Sequence, residues 1–234
     1  MAAMPKSGST FLISLIANIP SFRKAIFFPS SHKGRWHELC ERNITNCGVG
    51  NFVSRLHIVG HEYTINMIKK CNLRPFILTR NITDCVVSWL DHVKDQNFLT
   101  LDKYITKEKD DDYMYSLFIQ TMLQNYFEFY SSWKTSEFKT SMFRYENIYD
   151  DLDAMRDAIA HVLPELALSR QQVAFLMDYT RNNSFTRYNV GKAGRGMTLL
   201  KEHHLRDIVR LARYYKEFDM STLGIPAELQ EKYA

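Results

Sequence analysis

Small and polar residues from Pro5 to Thr10 give way to an apolar run from Phe11 to Ile16, a pattern that predicts a turn feeding a helix. Further on, Leu56 to His61 alternate with period two, which predicts a strand with His57 and His61 on one face. Ile65 to Asn72 reads as a brief connection. The continuous apolar run Pro75 to Thr79 predicts a buried strand with Arg80 at its carboxyl end and Asn81 or Thr83 capping the next helix. A long helix over Tyr113 to Trp133, a strand over Thr140 to Tyr145 and further helices complete the order. Within Lys201 to Lys216, Leu205, Ile208, Val209 and Ala212 mark the apolar face of one helix, with Arg206, Arg210 and Arg213 mostly opposite it. Strands alternating with helices imply an α/β fold whose central parallel sheet carries helices on both faces. In such sheets ligands collect at the carboxyl ends of the strands. Phe27 to Asn51, with Trp36 in it, reads as an irregular lid.

Only Met1 to Met4 precede the first turn, whereas a strand usually has about 5–6 residues. The first strand is therefore unusually short, or the chain is trimmed ahead of it. A chain of 234 residues, 45% of them apolar, suits one domain over residues 1–234 with a substantial core. The net charge of +4 favours a multiply anionic small ligand over nucleic acid, which asks for a concentrated basic stripe. No stretch approaches the ~20 apolar residues of a membrane span, so no membrane partner is expected. Cys40, Cys47, Cys71 and Cys85 show no disulfide framework, which suits reduced thiols in a cytoplasmic protein. His57 and His61 lack a cysteine or acidic partner at ligand spacing, and no metal is expected. Oligomeric state is not legible.

The chemistry begins with Pro5 to Thr10. A glycine in a turn at a helix start lets backbone N–H groups converge on an anion; Lys6 adds charge, and Ser9 and Thr10 add hydroxyl donors. The nucleotide-triphosphate form G-x-x-x-x-G-K-[ST] is absent, because here Lys6 precedes Gly8. The segment PKSGST followed by an aromatic resembles the 5′-phosphosulfate loop of sulfotransferases that use 3′-phosphoadenosine-5′-phosphosulfate (PAPS). The resemblance recurs at Arg80, Asp84, Val87 and Ser88, which match the family's R-N-P-x-D-x-x-V-S box with Ile82 in place of the proline. Tyr145 and Glu146 resemble its Y-E-D segment, Ser184 and Phe185 its S-F pair, and Gly191 to Gly196 its late R-K-G-x-x-G-D-W loop, with Met197 and Thr198 in place of Asp-Trp.

That resemblance implies the P-loop-like three-layer α/β fold. It assigns Lys6, Ser7, Gly8, Ser9 and Thr10 to the 5′ end of the donor, with Lys6 stabilising the bridging oxygen, and Phe11 to stacking on adenine. Arg80 and Ser88 would hold the 3′-phosphate, Tyr145 and Ser184 would lie near the base, and Lys192, Gly194 and Arg195 would close over the phosphate, with Arg187 an alternative cation. The family's K-T-H-x-P histidine, a general base, falls on His61, although Val59, Gly60 and Tyr63 depart from its flanks; Glu62 and His92 are reserve bases. The expected reaction moves a sulfuryl group from PAPS to a hydroxyl or amine of a small-molecule or carbohydrate acceptor, leaving adenosine 3′,5′-bisphosphate. Two rivals are an ATP-dependent small-molecule kinase and a non-catalytic nucleotide-binding protein of the same fold.

Overall fold

The computed structural model describes residues 1–29, 36–95, 110–182 and 193–233. In chain order the elements are β1 (Ala2–Ala3), α1 (Ser9–Ala17), β2 (Phe22–Lys24), α2 (Glu41–Thr45), β3 (Asn51–Val53), α3 (Glu62–Lys70), β4 (Ile77–Thr79) and α4 (Ile82–Asp95). There follow α5 (Asp111–Thr135), β5 (Met142–Arg144), α6 (Tyr145–Ile148), α7 (Leu152–Val162), α8 (Arg170–Asn182), α9 (Arg195–Leu199), α10 (Glu202–Ala212) and α11 (Ala227–Lys232). They form two compact units, Met1–Thr79 with Ser132–Gly191, and Arg80–Ser131 with Lys192–Ala234.

In the first unit β1, β4 and β5 make a parallel sheet in the order β1-β4-β5, with Ala2 opposite Ile77 and Ile77 opposite Met142. Ala2, Ala3, Ile77 and Leu78 are all buried. Because consecutive strand residues face opposite ways, both faces of this sheet are covered, as parallel sheets require. On one face Ala3 and Leu78 join a core built from Leu12, Leu15 and Ile16 of α1, Met155 and Ile159 of α7, and Val173 and Met177 of α8. β2 and β3 form a separate parallel pair.

The strand expected over residues 56–61 reduces to a single bridge between Leu56 and Ala2. Its continuation is taken by packing instead. Trp133, fully buried, donates its indole N–H to the Ile58 carbonyl at 2.9 Å, and the Gly60 amide donates to Ser132 Oγ at 2.9 Å. The brief connection expected over 65–72 is mostly the helix α3. It buries Thr64, Met67 and Ile68, a spacing of three and four that follows one helical face, with Glu62 in its first turn and Lys69 and Lys70 in its last.

In the second unit α5 carries buried Phe118, Tyr126, Phe127 and Tyr130, and its apolar surface on several sides marks an interior helix. Trp89 of α4 tilts against Phe118 at 4.8 Å between ring centroids. α10 buries Leu205, Ile208, Val209 and Ala212, the four residues its periodicity singles out, as an amphipathic helix should.

A β-carbon at Gly60 would lie 2.8 Å from the Trp133 ring and 3.0 Å from the Ser132 carbonyl. Both neighbours are fixed, so Gly60→Ala should cost about 1–3 kcal/mol by overpacking. Thermal unfolding of the variant should show a clearly lower midpoint, and an unchanged midpoint would mean that residues 58–60 do not hold this packing in solution.

Candidate active site

The loop from Pro5 to Gly8 leaves β1 and enters α1 through two left-handed residues, Lys6 at φ 66° and Gly8 at φ 81°. A lysine in that region costs about 1–2 kcal/mol, a strain of the kind that gathers at binding loops. Gly8 has a second reason to lack a side chain: a β-carbon there would meet the Tyr145 ring at 2.6 Å. Tyr145 in turn stacks on Tyr149 at 4.3 Å, and Tyr149 packs on Phe11 at 4.7 Å, so three buried rings form the floor of the loop. Phe11 is thus committed to the core, and its ring is not an open face for a base. Ser7 is fully buried; its amide and its hydroxyl both donate to the Met4 carbonyl, at 3.3 and 2.6 Å, which closes the turn. The Gly8 carbonyl accepts the Phe11 amide at 3.0 Å, and Gly8 has no side chain to cap the Ser9 and Thr10 amides, which leaves those two as donors suited to an anion.

Arg55 and His57 border this loop. Arg55 Nη1 donates to Thr10 Oγ1 at 2.6 Å, and Thr10 keeps its own hydroxyl proton to give. His57 Nδ1 lies 2.7 Å from the Ala3 carbonyl, which can only accept, so Nδ1 carries the ring proton and Nε2 has the lone pair. Burial above all pushes the His57 pKa down to about 3; the Ala3 bond opposes it, and Arg55, His37 and Lys6 each add a smaller depression. The imidazole is neutral at physiological pH. His61, by contrast, is exposed and stands immediately before α3, and Glu62 beside it is exposed in the first turn of that helix.

In the second unit Arg80 is buried immediately after β4, and Ser88 is half-buried on α4. The carboxylate of Asp84, 1% exposed, accepts the Gly194 amide at 2.8 Å on one oxygen and the Gly196 amide at 2.7 Å on the other. Gly196 presses so close to α4 that a β-carbon would fall 2.2 Å from the Thr83 carbonyl carbon. Arg195 pairs with Asp91 at 2.7 Å, which raises its already high pKa. The start of α9 is therefore fastened to α4 by two carboxylates.

The sulfotransferase domain family matches residues 1–206. The chain belongs to the sulfotransferase family. A crystal structure of mouse sulfotransferase SULT7A1 complexed with PAP is similar, with a TM-score of 0.70 at 15% identity over 99% of this chain and 86% of that one. No curated protein sequence matches. The likeness supports the P-loop-like α/β architecture that alternating strands and helices imply, and family and fold together support sulfuryl transfer in general.

The structure of this sulfotransferase domain brings Lys6, Ser7, Gly8, Ser9, Thr10 and Tyr145 together in one unit, and Arg80, Ser88, Gly194 and Arg195 in the other. Ser184, Arg187 and Lys192 lie outside the described residues. A basic residue two positions before a histidine, as in K-T-H, occurs at Arg55-Leu56-His57 and not before His61, a match that the assignment of the family's histidine to His61 left unused. Sequence reasoning also noted Asp84 only as a match in type, not as the clamp on α9. Asp112, His203 and His204 bring potential ligand atoms within 4.8 Å of one another. However, His204 Nδ1 accepts the Lys201 amide at 3.1 Å while Nε2 donates to the Asp112 carbonyl at 3.1 Å, so metal binding there would cost the cap of α10. No described helix is long and apolar enough to cross a membrane.

Asp84→Ala would strand the Gly196 amide in a buried position and remove two charge-assisted bonds. The expected loss is about 2–3 kcal/mol in urea unfolding, with Asp84→Asn, which keeps one carbonyl acceptor, falling between variant and wild type. Equal stability of all three proteins would remove Asp84 as the anchor of α9.

Proposed function

We propose that this sulfotransferase domain transfers a sulfuryl group from PAPS to an acceptor hydroxyl, with His57 rather than His61 as the general base. One observation carries the reading: the strained loop at the start of α1 and the unprotonated Nε2 of His57 belong to one small region, since Lys6 and Arg55 are among the charges that depress the His57 pKa. The first-turn amides of α1, with Thr10 and Ser9, hold the 5′ end of the donor. Lys6 offsets charge on the bridging oxygen as it departs. By the family resemblance Arg80 and Ser88 hold the 3′-phosphate, and a cation of residues 187–195 adds to it.

The transfer balances as follows. The acceptor oxygen forms a bond to sulfur while the bond from sulfur to the bridging phosphate oxygen breaks, its electron pair leaving with adenosine 3′,5′-bisphosphate. The acceptor proton passes to His57 Nε2, which is positioned to take it because Nδ1–H is committed to Ala3. As in phosphoryl transfer, positioning and charge compensation carry most of the catalysis. The acceptor is a small-molecule or carbohydrate hydroxyl.

Calorimetry with adenosine 3′,5′-bisphosphate and AMP tests the donor. The bisphosphate should bind on the order of 10- to 100-fold more tightly, and Arg80→Ala should erase most of that margin while sparing AMP. Equal affinities for the two nucleotides would end the PAPS assignment.

Turnover tests the base. His57→Ala should bind the bisphosphate normally yet lose on the order of 10²–10⁴-fold in kcat, whereas His61→Ala should stay close to wild type. The opposite pattern would return the role to His61, and tight bisphosphate binding without turnover of any acceptor would favour a non-catalytic protein.

A further inference from the structure

His57 lies just beyond the point where strand pairing stops. Leu56 still bridges to Ala2, but from residue 57 the chain leaves the sheet, and the His57 amide finds a side-chain acceptor instead. That acceptor is His37 Nδ1, at 2.9 Å. In return the His37 amide donates to the His57 carbonyl at 2.7 Å, so the two residues exchange a pair of bonds across a gap of twenty positions. An accepting Nδ1 carries no proton, which puts the proton of a neutral His37 on Nε2. The two imidazoles are held in opposite tautomers, His37 as Nε2–H and His57 as Nδ1–H.

The rings also form a column. His37 and His57 are stacked with centroids 5.7 Å apart and planes 19° apart, and Phe28 stacks on His37 at 4.1 Å and 24°. A single hydrogen bond, such as that from His57 Nδ1 to Ala3, fixes one atom of an imidazole and leaves the plane free to rock about it. A stacked neighbour narrows that freedom, and the larger constraint is the pinned amide, which stops the backbone from carrying the ring away.

We propose that His37 is the positioning residue of the base: its Nδ1 and its ring, backed by Phe28, hold His57 so that Nε2 stays aimed at the acceptor hydroxyl. The inference rests on His57 as the base, and it adds a residue that makes no contact with donor or acceptor. Phe28 and His37 thereby orient the group that takes the proton.

The test compares wild type with His57→Ala, His37→Ala, His37→Asn and His37→Phe in one assay of sulfuryl transfer from PAPS. His37→Ala should lose about 10- to 100-fold in kcat, the cost of a displacement of about 1 Å at a reacting group, with KM for PAPS and affinity for adenosine 3′,5′-bisphosphate unchanged. Asn places an amide oxygen where Nδ1 stands and should recover most of the loss; Phe keeps the stacked ring without the acceptor and should not. The double variant His37→Ala/His57→Ala should be no slower than His57→Ala alone, because a residue acting only through His57 has nothing left to act on. Proton NMR adds a readout independent of turnover: the downfield Nδ1–H signal of His57, present in wild type and His37→Asn, should broaden or shift in His37→Ala.

Near-normal turnover by His57→Ala would overturn the base itself and this proposal with it. Loss in His57→Ala with normal turnover in His37→Ala would overturn the proposal alone. Additive losses in the double variant, or a His37→Asn protein as slow as His37→Ala, would likewise overturn it by making His37 a structural residue only. Should His37→Ala fail to fold, the contrast between the Asn and Phe variants decides by the same criteria.

Discussion

The Ala3 carbonyl, accepting His57 Nδ1 at 2.7 Å, is where the strand, the loop and the base meet. β1 has two residues, yet it is bonded on both edges: the Ala3 amide donates to Leu56, and the flanking Ala2 and Met4 amides donate to Phe76 and Leu78 beside β4. Such a short strand holds its place only because these bonds and the buried Ala2 and Ala3 side chains leave it no alternative. The loop that begins at Met4 then inherits a fixed origin. Ser7 ties back to Met4, Gly8 rests on Tyr145, and α1 starts where its free amides face outward from the carboxyl end of the sheet. On the proposed mechanism the base and the anion loop would share one anchor, since His57 bonds Ala3 and Ser7 bonds Met4.

Much of this was legible in the amino-acid sequence because it depends on residue types with few alternatives. A glycine among small hydroxyl residues ahead of an apolar run placed the turn into α1, and the structure gives a two-residue first strand ahead of it. The apolar run into Arg80 ended in a strand, and α5 and α10 formed where their apolar patterns put them. What was not legible was set by contacts between distant segments. Period-two alternation over residues 56–61 suggested a strand carrying His57 and His61 on one face, but Trp133 and Ser132 capture Ile58 and Gly60 and end the pairing at Leu56. With the strand gone, the two histidines part, one beside Ala3 and one before α3. The helix α3 escaped notice because its buried face amounts to Thr64, Met67 and Ile68, too few for periodicity to register. Phe11, at the aromatic position of the family's loop, packs on Tyr149 within the core.

The carboxylates of α4 show how the second unit uses charge. Asp84 and Asp91 stand seven residues apart, two turns along one face of the helix, and each fixes a different part of the segment after residue 193. Asp84 is almost wholly buried and its oxygens are occupied by backbone donors, whose removal would leave polar groups stranded. Asp91 is partly exposed and holds the Arg195 guanidinium. A phosphate arriving near Arg195 would compete with Asp91 for its guanidinium. The fixed partner of α4 is backbone, the exchangeable one is side chain.

Electrostatics at the loop lead to a last step. The His57 imidazole is a weak base because burial, chiefly, and the nearby cations Arg55 and Lys6 oppose its protonation. The donor proposed here is an anion placed against those cations. Its charge cancels part of the field on His57, and each pKa unit recovered returns about 1.4 kcal/mol of driving force for proton transfer. On the proposed mechanism Lys6 would act twice from one position: it would stabilise the leaving oxygen and, before the donor binds, oppose protonation of His57. Because the depression by burial remains, the base regains only part of its strength, so the proton moves late, as the bond to sulfur forms and the acceptor oxygen becomes acidic.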